Sequence, residues 1–339
     1  MKQTALIVGN GFTCSFATYS KVSINPSYPL RWNLHTPGRS TLLLDDLPGL
    51  KRYIERVDPK RLISDFDLII PFIQKLSPAP IPDKLPDEEV EAFLDFGHYL
   101  TVAYSWMQLE YDRHELSGWA WTNWFVNHRK ELVALLSWNY DLMAERVLEK
   151  VGLPFAYVGI GVPPFLTKGR HGRRAPVIVS KPHGSCNFAP HDMVHIETAD
   201  KDGGPYEPLT YPRMIHVSGF EGPMQVLPST RLYSIRLVAD IVLPGEWNRF
   251  HQYLKWVDRT LSAFVRSAAN ATDLVVVGFR MAECDRKEFE IALSWMQRHE
   301  RVVIADPSPN PQMVDILRAR APQVVQWPEG PQGPVILLA

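Results

Sequence analysis

The chain has 339 residues, with 36 Lys and Arg against 37 Asp and Glu and a formal net charge of −1. An apolar fraction of 45% with 22% charged residues is globular composition, long enough to bury a sizeable core, which excludes a wholly disordered chain. The balanced charge excludes a globally basic nucleic-acid binder, and Cys14, Cys186 and Cys284, far apart and without a C-x-x-C pair, exclude a four-cysteine zinc site and a disulfide framework. A reducing, cytoplasmic compartment is expected. No apolar run approaches eighteen residues, and the stretch Ala5–Val8 is too short for a signal core, so no membrane association is expected.

In chain order, short continuous apolar runs read as buried strands: Ala5–Val8, Leu132–Leu136, Phe155–Val158, Val177–Val179, Leu274–Val277 and Val302–Ala305. Continuous rather than alternating hydrophobicity suits a parallel sheet covered on both faces. Helical patterns at Leu142–Lys150 and Glu288–Arg298 lie between them, so the alternation predicts a doubly wound α/β fold. Residues from about 20 to 130 read differently. A Pro-rich stretch (Pro78, Pro80, Pro82, Pro86) precedes Asp87–Trp124, where Phe93, Phe96, Leu100, Tyr104, Met107 and Tyr111 recur near helical period. This predicts a helical insertion, with Trp106, Trp119, Trp121 and Trp124 read as core or interface. The Gly- and Pro-rich segments Gly159–Arg174 and Asp200–Pro228 read as loops. The basic run Lys168–Arg174 is read as a solvated loop, with nucleic acid as its lesser alternative.

Five strand exits carry candidate chemistry. After Val8 comes Gly9-Asn10-Gly11-Phe12-Thr13, where a Gly-x-Gly turn would bring backbone close to a phosphate, or would simply join a strand to a helix. It is not a dehydrogenase fingerprint: Cys14 replaces the third glycine, and the next acidic residues are Asp45 and Asp46. Ser137-Trp138-Asn139-Tyr140-Asp141 puts Asn139 and Asp141 where functional groups of open sheets collect, although Asp141 also suits a helix cap. Lys181-Pro182-His183-Gly184-Ser185 offers His183 as a general base or as a structural histidine. His183, Cys186, His191 and His195 have the residue types of a zinc site without a familiar spacing, and no metal is expected. The last two exits are Gly278-Phe279, followed by Glu283 and Asp285, and Asp306 after Ala305.

Taken in order, Gly-x-Gly-Phe-Thr, Asn-Tyr-Asp, Lys-Pro-His-Gly-Ser and Val-Gly-Phe resemble the sirtuin-like superfamily, particularly its bacterial NAD-consuming defence branch. That branch shows Gly-Ala-Gly-Phe-Ser, Thr-Asn-Tyr-Asp, Lys-Leu-His-Gly-Ser and Gly-Tyr-Ser. Here Asn10, Thr13, Ser137-Trp138, Pro182 and Phe279-Arg280 depart from it. Leu243-Pro244-Gly245-Glu246-Trp247, ahead of an amphipathic helix, is similar to the family's Pro-containing segment. The resemblance covers residues 4–19 and roughly 130–310. It lacks the paired cysteines that hold the structural zinc of protein-deacylating sirtuins.

The resemblance implies a Rossmann-like core of residues 1–20 and 130–339 with a mainly helical insertion at 21–129. It implies NAD, as substrate, bound across the switch point of the sheet. Gly9, Asn10, Gly11, Phe12 and Thr13 would surround the pyrophosphate, with the amides of Gly11, Phe12 and Thr13 as donors; Gly278, Phe279 and Asp306 would lie near the adenosine end. It implies NAD glycohydrolase activity in antiphage defence by NAD depletion. Asn139 would position the ribose and water, His183 would act as base, and Asp141 would hold the nicotinamide amide or place Asn139. ADP-ribosyl transfer or deacylation, and a non-catalytic NAD-sensing subunit, are the alternatives. A homo-oligomer and an ATPase or nuclease partner protein belong to the same implication.

Overall fold

The computed structural model describes residues 2–56, 65–75, 87–158, 160, 175–190, 224–226, 232, 241–246, 255–297 and 300–338. The Pro-rich stretch from Pro78 to Pro86 lies outside the described residues, as do His191, His195 and the basic run Lys168–Arg174. So do the expected loops at 159–174 and 200–228, apart from 160 and 224–226.

The described elements are β1 (Thr4–Val8), α1 (Asn10–Ser20), α2 (Pro48–Glu55), α3 (Phe66–Lys75), α4 (Asp87–Asp112), α5 (Ala120–His128), β2 (Leu132–Ser137), α6 (Met143–Lys150), β3 (Phe155–Tyr157), β4 (Val177–Ser180), β5 (Phe188–Pro190), β6 (Met224–Val226), α7 (Lys255–Ala268), β7 (Asp273–Val277), α8 (Arg286–Ala292), β8 (Arg301–Ala305), α9 (Pro311–Arg318), β9 (Gln323–Gln326) and β10 (Ile336–Leu337). Eight strands form one sheet in the order β10-β9-β8-β7-β1-β2-β4-β3, parallel throughout except for the β10 edge. Every residue of β1 is buried, as a strand covered on both faces requires. β5 and β6 form a separate antiparallel pair.

From β1 the chain proceeds to β2 on one side, whereas from β7, on the other side of β1, it proceeds outward to β8. The sheet is therefore doubly wound, and the crevice between β1 and β7 is its switch point. The register aligns the exits there: Val8 pairs with Ser137 on one side and with Val277 on the other. Gly9, Trp138 and Gly278 consequently leave the sheet side by side.

All the regular elements described between α1 and β2 are helical. α2 packs along α4, whose Phe93, Phe96, Leu100, Tyr104, Met107 and Tyr111 are all buried. Three α4 hydroxyls tie down the segment that follows α1: Tyr99 donates to the Pro29 carbonyl at 3.0 Å, Tyr104 to Pro26 at 2.8 Å and Tyr111 to Ile24 at 3.0 Å. Trp119, Trp121 and Trp124 are buried core residues, in line with that reading of the tryptophan-rich stretch. The helix expected over Glu288–Arg298 instead runs Arg286–Ala292 and turns at Leu293. Among the described residues no helix is long and apolar enough to cross a membrane.

Candidate functional site

At the switch point two backbones touch. A Cβ on Gly11 would lie 2.6 Å from the Gly278 Cα, and one on Gly9 would lie 2.6 Å from the Phe279 Cα. Gly278 itself has φ of +53°. Only glycine fits these positions, because the β1 and β7 exits close on each other. The contact also consumes donors. The Gly11 amide donates to the Gly278 carbonyl at 2.9 Å and the Phe12 amide to the Gly9 carbonyl at 3.0 Å. This corrects the expectation that the Gly11 and Phe12 amides stand ready for a pyrophosphate.

Next to this turn, Thr13 bridges two polar side chains delivered by β2. Asn139 Nδ2 donates to the Gly9 carbonyl at 3.0 Å and to Thr13 Oγ1 at 3.1 Å, while Thr13 Oγ1 donates to Asp141 Oδ2 at 2.8 Å. The other Asp141 oxygen accepts from the Met143 amide at 3.0 Å, at the start of α6. Asp141 thus supports the helix start and also faces the cavity described below. Beneath it Lys181, with no side-chain exposure, donates to the Asp141 carbonyl and pairs with Glu145 at 3.0 Å. Burial raises the Asp141 pKa, and Lys181 with the Met143 and Thr13 donors works against that rise.

His183 follows β4 and is almost fully buried. Its Nε2 lies 3.1 Å from Glu288 Oε2 on α8 and 3.7 Å from Asp285 Oδ1. Burial pushes the His183 pKa down, but the carboxylates of Glu288, Asp285 and Glu246 outweigh it, and the net shift is upward. Burial lifts Asp285 to about 6, opposed by His183. The three ligand atoms of His183, Asp285 and Glu288 lie within 4.8 Å of one another, the one such group among the described residues, and donor type alone would suit a divalent cation. Cys186, expected beside His183 in a possible zinc cluster, is buried and free, and it is not part of this group.

A cavity of about 480 Å³ opens over these exits. Gly9, Asn10, Gly11, Asn139, Asp141, His183, Gly278, Phe279 and Asp306 all line it, so the candidates from five separate strand exits face one space. Phe12 and Thr13 do not line it, which corrects their expected place around a ligand. One turn of α1 explains the split. Asn10, Gly11 and Cys14 face the cavity, whereas Phe12 points the other way, with its ring centroid 4.9 Å from that of Trp119 and 5.7 Å from that of Trp121.

Other lining residues were not legible as site residues. Ser27, Phe66 and Tyr104 come from the helical segment between β1 and β2. Trp138 stacks on Phe279 with centroids 4.4 Å apart, closing the wall between β2 and β7. Glu288, which does not line the cavity but contacts His183, gave no signal beyond lying one helical turn after Asp285. Asp306, by contrast a candidate from the sequence, is raised by burial and accepts from the Ser308 amide at 2.7 Å.

No family model matches the chain, and no curated protein does. Solved structures to which it is similar include a Sir2 homologue mutant in complex with ADP-ribose, at 13% identity over 95% of this chain and 84% of that one, with a TM-score of 0.36. A second such mutant complex has 14% identity over the same shares, with a TM-score of 0.35. A Sir2–p53 peptide–NAD+ structure has 11% identity over 97% of this chain and 88% of that one, with a TM-score of 0.31. At these scores the likeness carries no functional argument, and the reading of the cavity rests on its own residues.

Proposed function

We propose that the chain binds NAD in the cavity at the β1–β7 switch point and cleaves the bond between nicotinamide and ribose. The observation that carries this reading is the convergence of Asn139, Asp141 and His183 with Gly9, Gly11 and Gly278 on one cavity at the carboxyl ends of parallel strands. The reaction takes NAD+ and water to nicotinamide, ADP-ribose and a proton. Positive charge builds on the ribose as the bond to nicotinamide breaks, and the electron pair leaves with the neutral pyridine ring. Asp67, Asp141 and Asp285 line the cavity, and their carboxylates would favour that charge.

Asn139 would orient the ribose and the attacking water. Its amide is held by the Gly9 carbonyl and by Thr13, and Asp141 holds Thr13 in turn. This chain of bonds supports the placing of Asn139, rather than direct contact with nicotinamide, as the role of Asp141. His183 in its neutral form would take the proton from water, a contribution of about 10²–10⁴-fold for a positioned base. Hydrolysis of this kind would deplete NAD and halt the host cell, the antiphage role that the family resemblance implies. Incubating the purified chain with NAD and measuring nicotinamide and ADP-ribose tests the reaction. Equal release of both supports hydrolysis, and a bound but intact dinucleotide opposes it.

A further inference from the structure

We infer that Arg280 is the anion anchor of the cavity, the side chain that holds the pyrophosphate of the dinucleotide. The inference rests on the proposed reading of the cavity as an NAD site. It starts from a charge problem. Four aspartates line the cavity, and a dinucleotide brings two further negative charges into the same space. The donors expected from the Gly9–Thr13 turn do not solve it: the Gly11 and Phe12 amides are already bonded to the Gly278 and Gly9 carbonyls, and Thr13 does not line the cavity. An anion entering here needs a cation.

Among the described residues Arg280 is the one Lys or Arg that lines the cavity. It stands two residues beyond Gly278, at the exit of β7, where the switch point opens. It is exposed, and no carboxylate among the described residues pairs with it; the nearby Glu283 faces Arg286 instead, at 3.8 Å. Lys181, the buried cation of the neighbouring exit, is committed to Glu145 and to the Asp141 carbonyl and does not line the cavity. A guanidinium offers a planar fork of donors that matches two phosphate oxygens, which an ammonium cannot reproduce. In this assignment Asp67, Asp141 and Asp285 would favour the developing positive charge, and Arg280 would take the phosphates.

The test is calorimetric titration of the full chain and of Arg280→Ala, Arg280→Gln and Arg280→Lys with ADP-ribose, ADP and adenosine. Wild type should bind ADP-ribose and ADP. Arg280→Ala and Arg280→Gln should both weaken these about 10- to 100-fold, leave adenosine unchanged and melt with wild type. Arg280→Lys should recover part of the loss. Wild-type affinity for ADP-ribose in Arg280→Ala, or an equal loss for adenosine, overturns the assignment. If wild type binds ADP in an Arg280-dependent way but not ADP-ribose, the anion anchor stands and the NAD reading falls. If none of the phosphorylated ligands binds wild type, the anchor falls, whatever nicotinamide release then shows.

Discussion

His183 Nε2 lies 3.1 Å from a carboxylate oxygen of Glu288, 105 residues further along the chain. A buried imidazole held by a carboxylate keeps its proton to higher pH than one in water, so its availability as a base depends on its partner as well as on its place after β4.

The first expectation concerns the pH dependence of turnover. The His183 pKa is raised, so NAD cleavage should increase with pH through a midpoint above the ordinary 6.5 as the base form appears. Glu288→Gln removes the anion nearest the ring and should move that midpoint downward, while a structural role for Glu288 would change stability and leave the midpoint in place. Prolonged chelation should leave the rate unchanged. A chelator-sensitive rate restored by one divalent ion would reassign His183, Asp285 and Glu288 to that ion.

Stability should respond to pH in the opposite way to ordinary acid denaturation. Burial raises Asp65, Asp95 and Asp285 to about 6, so between about pH 4 and 6 the folded chain holds protons that the unfolded chain has lost. Stability then falls as the pH rises across that window. The raised His183 adds stability that is fully present below about 6.5 and lost as the pH passes its higher folded value. A melting temperature that climbs steadily from pH 5 to pH 8 contradicts this.

Lys181→Met should destabilise the fold by about 3–5 kcal/mol, because it leaves Glu145 buried without its cation. Tyr157 donates to the same carboxylate at 3.0 Å and cannot replace the charge. Denaturant unfolding measures the loss. A cost below 1 kcal/mol would mean that the buried pair contributes little.

Two glycine substitutions should separate in sign. Gly11→Ala drives a methyl into the Gly278 backbone and should cost at least about 1–3 kcal/mol. Gly97→Ala, inside α4 with nothing within 4 Å of the new methyl, should stabilise by about 0.5–1 kcal/mol. Paired thermal melts check both, and equal effects would contradict the close approach at the switch point.

Much of the fold was legible because a parallel sheet covered on both faces writes itself as continuous apolar runs, and all six runs named from the sequence are strands. β9 escaped because Val324 and Val325 stand alone between Gln323 and Gln326, and β10 because Ile336–Leu337 is too short to show a pattern. The site was legible where polar residues follow a strand directly, as Asn139, Asp141 and His183 do. It was not legible where the cavity is shaped by contacts between distant segments. The Gly278 carbonyl that takes the Gly11 amide, the Glu288 carboxylate beside His183 and the outward face of Arg280 come from packing, which no spacing along the chain encodes.

The most direct test is to incubate NAD with the purified chain and with the Asn139→Ala and His183→Ala variants, and to quantify nicotinamide and ADP-ribose alongside calorimetric binding of ADP-ribose. Wild type should release the two products in equal amounts, and both variants should lose turnover by at least 10²-fold while still folding and binding ADP-ribose. Intact NAD at every protein concentration, or undiminished turnover in His183→Ala, would contradict the account.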